Sequence, residues 1–161
     1  MLPRSPPQKE VVKYLGLHFD CRVNWTEHIA RKRKQIDLKT REINWLIGKK
    51  KSRLSIENKL LIYKAVIKPI WSYGIELWGC ASKSNIVIMQ RSQSNILRAI
   101  TNARWDVTNH TLHTDFNIPY VSDFIHERIN KHHNNMEAHP NPLLEPLLQP
   151  TSINTRRLKR C

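Results

Sequence analysis

One stretch limits the possible folds of this chain more than any other, the run from Ile56 to Gly79. Its apolar positions Ile56, Leu60, Tyr63, Ile67 and Ile70 recur at helical spacing, and Leu61, Ile62 and Val66 widen that stripe around the circumference. A helix apolar over so much of its surface has to be covered by other elements. The stretch therefore predicts a central, mostly buried helix, with Ser55 placed to cap its start. Pro69 has no amide donor and predicts a kink or break near Lys68. Beyond it, Trp71, Tyr73, Leu77 and Trp78 form an aromatic-rich second half that ends near Gly79.

Three further helices supply the cover. Asn24 is placed to cap the first, with Glu27 in capping-box position, and the helix is expected to run through Ile47 and stop at Gly48. Ile29, Ile36, Ile43 and Ile47 give it a narrow apolar stripe, with Arg31, Lys34 and Arg41 projecting away. Another helix is expected from Ser84 or Asn85 to about Ile100, with Ile86, Met89, Ile96, Leu97 and Ile100 inside. Thr101 to His113, including Trp105, reads as irregular, and a last helix as Ser122 to Ala138 with Ile125, Ile129 and Met136 inside.

Ahead of these, Val11 to Phe19 reads as a strand with a bulge at Gly16. No second strand follows nearby, so its partner is expected outside the chain, or its edge is left bare. Residues 1–10 hold three prolines and no apolar core of a leader, and read as a flexible lead-in. Pro140, Pro142, Pro146 and Pro150 exclude helix in the tail, which ends in Arg156-Arg157-Leu158-Lys159-Arg160. That tail is expected to be disordered. With 161 residues, the chain is expected to form one mainly α domain: a small bundle of three to four helices over 24–139, one N-terminal strand within 11–23, and a disordered Pro-rich basic tail over 140–161.

Charge bears most directly on function. The chain has 27 Lys and Arg against 13 Asp and Glu, a formal net of +14. Fourteen of the cations and only five of the acids lie in residues 1–53, so the excess is concentrated there. Self-repulsion of that size points to a polyanionic partner. The candidate nucleic-acid-binding residues are Arg31, Lys32 and Lys34, with Arg33 between them, then Arg41, Lys49, Lys50, Lys51 and Arg53. Positive charges strung along one surface neutralise phosphates. The plain alternative is a solvated helix face, and a nuclear-import signal is a further reading of the same cluster. Four consecutive bases do not share one helix face, so only some of them reach the same duplex.

Other chemistries find less support. Tyr63, Trp71, Tyr73 and Trp78 have the rings for base stacking, but their helical spacing among Ile and Leu reads as core. The pairs His132-His133 and His110/His113 lack two further ligands at zinc spacing and read as surface histidines. Cys21, Cys80 and Cys161 are widely spaced, without a CxxC pair, and give neither a disulfide framework nor a nucleophile signature. Glu76 reads as a partly buried acid paired with a lysine. No apolar run approaches membrane-spanning length, and the expected location is intracellular.

Four phrases in order carry a family resemblance: "KYLGLHFD" from Lys13, "NWTEHI" from Asn24, "KLLIYKAVIKPIWSYGIELWG" from Lys59, and "IMQRSQSNILRAITNARW" from Ile88 with "LHTDFNIP" behind it. Together, over roughly residues 11–145, they resemble the thumb and C-terminal part of the reverse transcriptases of non-LTR retrotransposons of the jockey and X-element group. The resemblance implies a right-hand polymerase in which "KYLG" closes the palm sheet and the following helices grip template–primer. It implies RNA or an RNA–DNA duplex, held by its phosphates, as partner, and the palm and fingers of the parent polymerase as neighbours. The parent would use Mg2+ bound by palm aspartates, whereas no Asp-Asp pair occurs in this chain and no cofactor of its own is expected. No catalytic residue maps onto it. Two other readings stay open, a recruited non-catalytic binding or interaction module and a non-functional truncated copy.

Overall fold

In the computed structural model, which describes residues 11–48 and 52–141, the chain is mainly helical. It opens with an antiparallel hairpin of β1 (Val11–Tyr14) and β2 (Leu17–Asp20), in which Val11 faces Asp20 and Tyr14 faces Leu17. The single expected strand is thus two, and its partner lies within the chain. Leu15 (φ 46°) and Gly16 (φ 80°) both take positive φ, as a tight two-residue hairpin turn requires. The sequence signal was weak because Leu, unlike Asn or Asp, is rarely found in that conformation. Contact with the helices holds it: the Tyr73 hydroxyl donates to the Leu15 carbonyl at 2.7 Å.

The first helix, α1 (Thr26–Glu42), starts two residues later than its expected cap. Trp25 turns left-handed (φ 65°) and buries its indole 5.0 Å from the Phe19 ring. Anchoring that indole displaces Asn24 from the cap position. Its side-chain oxygen instead accepts from Thr26 N, while Glu27 pairs with Arg31 and forms no capping box. A break at Ile43 leads into α2 (Asn44–Ile47). Ile29, Ile36 and Ile47 are buried, as the stripe predicted. Gly48 ends this run in an extended conformation, not as a left-handed cap.

Ser55 caps α3 (Ile56–Ile62), its hydroxyl accepting from Asn58 N at 3.3 Å. The helix then widens into a π-helical turn over Tyr63–Ile67 before α4 (Lys68–Ser72), whose first turn carries Pro69. A π turn changes the backbone pairing just ahead of the missing donor, so the predicted break becomes a local widening. Leu60, Tyr63, Ile67 and Trp71 face the core. Leu61 and Ile56 remain exposed, so the helix is covered on one side only and is less central than its composition suggested. At Gly74 the chain turns with φ 65° into α5 (Ile75–Trp78); a Cβ there would lie 2.8 Å from Leu17 Cδ2.

The long helix α6 (Lys83–Thr101) and the last helix α8 (Val121–Glu137) match their expected spans within two residues. Between them lies α7 (Asn109–Asp115), where irregular chain was expected. Its sequence is nearly all polar and shows no apolar period. What makes it a helix is the Thr108 hydroxyl, which accepts from Thr111 N at 3.1 Å, together with the anchored Leu112 and His113. The core joins Leu17 and Trp25 to Ile29, Ile36, Tyr63, Ile67, Trp78, Met89, Leu97, Val121 and Ile125, so hairpin and helices share one interior. A polar seam crosses it: Gln93 Nε2 donates to the Tyr63 hydroxyl and the Pro119 carbonyl, each at 3.1 Å. The lead-in, residues 1–10, and the tail beyond Asn141 lie outside the described residues.

Candidate nucleic-acid interface

Helix geometry divides the basic run. Successive residues point about 100° apart, so Arg31, Lys32, Arg33 and Lys34 cannot act together. Arg31 is exposed and pairs with Glu27 at 2.6 Å. Lys32 is half-buried, its ammonium 5.4 Å from the centre of the Tyr73 ring, and desolvation lowers its pKa. Arg33 pairs with Asp37 at 3.1 Å. Lys34 and Arg41 are exposed and form no ion pair among the described residues. They lie seven residues apart on the outer face of α1, about 10 Å along the axis. Arg53 is exposed just ahead of α3, and Lys49, Lys50 and Lys51 fall outside the described residues.

Beside that face runs an open cleft between α1 and α6. Arg33, Asp37, Thr40 and Arg41 form one wall, and Ser92, Asn95, Ile96 and Ala99 the other. The Thr40 hydroxyl is buried without a partner among the described residues. The two helices run parallel, because Asn85 near the start of α6 donates to Thr26 Oγ1 and the Asn24 carbonyl, while Ala99 near its end stands opposite Arg41. This arrangement offers guanidinium and ammonium donors to a polyanion.

The remaining candidates sort by burial. Tyr63, Trp71 and Trp78 are core, as expected, while Tyr73 is half exposed and carries Lys32 and the hairpin turn. His110, His132 and His133 are exposed, but His113 is buried, which corrects its reading as a surface residue. Its Nδ1 lies 2.7 Å from the Ile118 carbonyl, so that nitrogen carries the proton and Nε2 accepts from Gln90 at 3.1 Å. Glu76 pairs with Arg128 at 3.0 Å, an arginine where a lysine was expected. The environments of two residues were not anticipated from the sequence. His28 is fully buried among Trp25, His18 and Trp78, a place its position directly before Ile29 in the stripe could have suggested. Trp105 is almost fully exposed, and no sequence pattern marks that.

Among the described residues, no three His, Cys, Asp or Glu side chains gather where they could hold a metal ion. The sequence contains no adjacent Asp-Asp pair. No described helix is long and apolar enough to cross a membrane.

Fold and surface together define a small helical module with one cationic helix face. Two proteins of Drosophila melanogaster named "Probable RNA-directed DNA polymerase" are similar to it, one from transposon X-element and one from transposon BS. They are 37% identical over 154 residues and 32% identical over 153, covering 96% and 95% of this chain. The RNA-directed DNA polymerase from mobile element jockey of Drosophila funebris is 30% identical over 155 residues, covering 92% of it. No family model matches, and no solved structure matches. The chain is thus homologous to a segment of the jockey, X-element and BS retrotransposon RNA-directed DNA polymerases, and it spans 17% of the length of these curated relatives.

Proposed function

We propose that this chain is the thumb-like, template–primer-gripping segment of a non-LTR retrotransposon reverse transcriptase and performs no nucleotidyl transfer itself. It holds RNA or an RNA–DNA duplex by backbone phosphates, with little sequence preference, and works beside the palm and fingers of the parent polymerase. The observation that carries this reading is that Lys34 and Arg41, on the outer face of α1, form no ion pair among the described residues, in a chain of net charge +14. Charges already matched by Glu27 or Asp37 have less to gain from a phosphate. Lys34 and Arg41 exchange only water and counterions for it.

The test is a titration of a short RNA–DNA duplex at several salt concentrations. Log affinity is expected to fall linearly with log salt, and Lys34→Glu with Arg41→Glu is expected to weaken binding about tenfold and flatten the slope by about two units. Circular dichroism should stay unchanged, because both side chains are exposed. Salt-independent binding, or an unaltered slope in the double variant, would sink the phosphate-grip account. With template, primer, nucleotides and magnesium, the chain alone is expected to add no nucleotide; template-dependent extension would overturn the division of labour.

A further inference from the structure

At 89% exposure, Trp105 is the most open large apolar side chain among the described residues. The loop that carries it is well anchored. Arg98 reaches out of α6 and donates to the Arg104 carbonyl at 3.2 Å, the Val107 carbonyl at 2.6 Å and Asn109 Oδ1 at 3.0 Å. Asn102 turns left-handed at the end of α6, and the Thr108 cap of α7 closes the other side. Arg104 and Asp106, flanking the indole, pair with each other at 3.2 Å. One partly buried arginine thus ties down three points of a short loop, and the loop presents its indole to solvent. An ordered backbone under an exposed aromatic is the arrangement of a stacking platform, since little freedom remains to be lost on contact.

The position of the loop says what would stack there. Because α1 and α6 run parallel, the end of α6 lies at the Arg41 end of α1. From Ala99, opposite Arg41, the chain reaches Trp105 in six residues, at most about 20 Å even if fully extended. A strand whose phosphates follow Lys34 and Arg41 therefore comes within a few nucleotides of the indole.

We propose that Trp105 is a stacking platform for an unpaired base of the nucleic acid held on the α1 face, at a strand end or single-stranded overhang. The inference rests on the phosphate-grip reading for the strand's path, and adds to it a distinction between paired and unpaired bases. The charge of the chain favours a polyanion over an apolar protein partner at this site.

The test compares two probes on the full chain, a blunt RNA–DNA duplex and the same duplex with a five-nucleotide single-stranded uridine overhang. The overhang is expected to raise affinity, and Trp105→Ala to lower overhang affinity about tenfold while leaving the blunt duplex within twofold. Trp105→Tyr should restore most of the loss, and the extra quenching of tryptophan emission that the overhang causes over the blunt duplex should vanish in both variants. If Trp105→Ala leaves the overhang preference unchanged, or weakens both probes alike, the platform assignment is wrong. Salt-dependent binding of both probes, with an overhang affinity that does not respond to Trp105→Ala, would sink this inference alone. Absence of any salt-dependent binding by the unaltered chain would sink the phosphate grip and this inference with it.

Discussion

Trp78→Ala is expected to cost about 3–5 kcal/mol of folding stability, the range for truncating a large buried aromatic. A domain of this size has about 5–15 kcal/mol in total, so the variant will be largely unfolded at moderate denaturant concentrations. Trp78 is 1% exposed, its indole N–H donates to the Tyr73 carbonyl at 3.2 Å, and its ring packs near His28. Removing it empties the core beside His28 and leaves the Tyr73 carbonyl without its donor. Urea unfolding measures the loss directly. Trp45→Ala and Trp105→Ala, at 65% and 89% exposure, are the controls and are expected to cost under about 1 kcal/mol. A loss for Trp78→Ala as small as the controls would show that α5 does not dock as described.

Acid is expected to destabilise the protein through His28. Burial, with smaller contributions from Lys32 and His18, lowers its pKa from 6.5 to about 4. Its Nδ1 accepts from His18 N at 3.3 Å, and its Nε2 is buried with no partner among the described residues. Folding therefore favours the neutral ring. Above pH 6.5 the ring is neutral in both states and folding loses nothing. As pH falls below 6.5 the unfolded chain takes up a proton that the folded chain refuses, so stability falls by about 1.4 kcal/mol per pH unit until pH nears 4. Between pH 6.5 and 5, before most carboxylates titrate, the loss is about 2 kcal/mol, and about 3 kcal/mol by pH 4. His18, also lowered by burial and by Arg31, Lys13 and Lys32 against the opposing Glu27, adds in the same direction. Urea midpoints at pH 7 and pH 5 test this. His28→Phe keeps a ring but removes the proton site, and most of the drop should disappear with it; an undiminished drop would place the acid sensitivity elsewhere.

Much of the helical framework was legible because helices advertise themselves by period and cap. The Ser55 cap, the Ile29–Ile36–Ile47 stripe, and the spans of α6 and α8 all follow from apolar spacing read one element at a time. The errors occurred where local preference was overruled by distant contact. Leu15 accepts a left-handed turn because Tyr73, 58 residues away in sequence, binds its carbonyl. Asn24 loses the cap of α1 because burying Trp25 bends the chain beside it. The polar α7 is recognisable only through Thr108 and the anchored His113.

The sequence by itself determined the class of the molecule: a mainly α domain, strongly basic toward its N-terminus and homologous to a segment of retrotransposon RNA-directed DNA polymerases. Composition, helical period and ordered motifs are properties of the chain and need no coordinates. The folded structure decided which cations form no ion pair among the described residues. In the run Arg31 to Lys34, the four residues are chemically alike. Glu27, Tyr73 and Asp37 engage the first three, leaving Lys34, with Arg41 two turns on, facing water. Only the fold, likewise, separated the buried Trp78 from the open Trp105. The physical reason is that a side chain's role depends on what surrounds it. Glu27 and Asp37 lie one helical turn from the arginines they pair, whereas Tyr73 beside Lys32 and the packing around Trp78 come from residues distant in sequence.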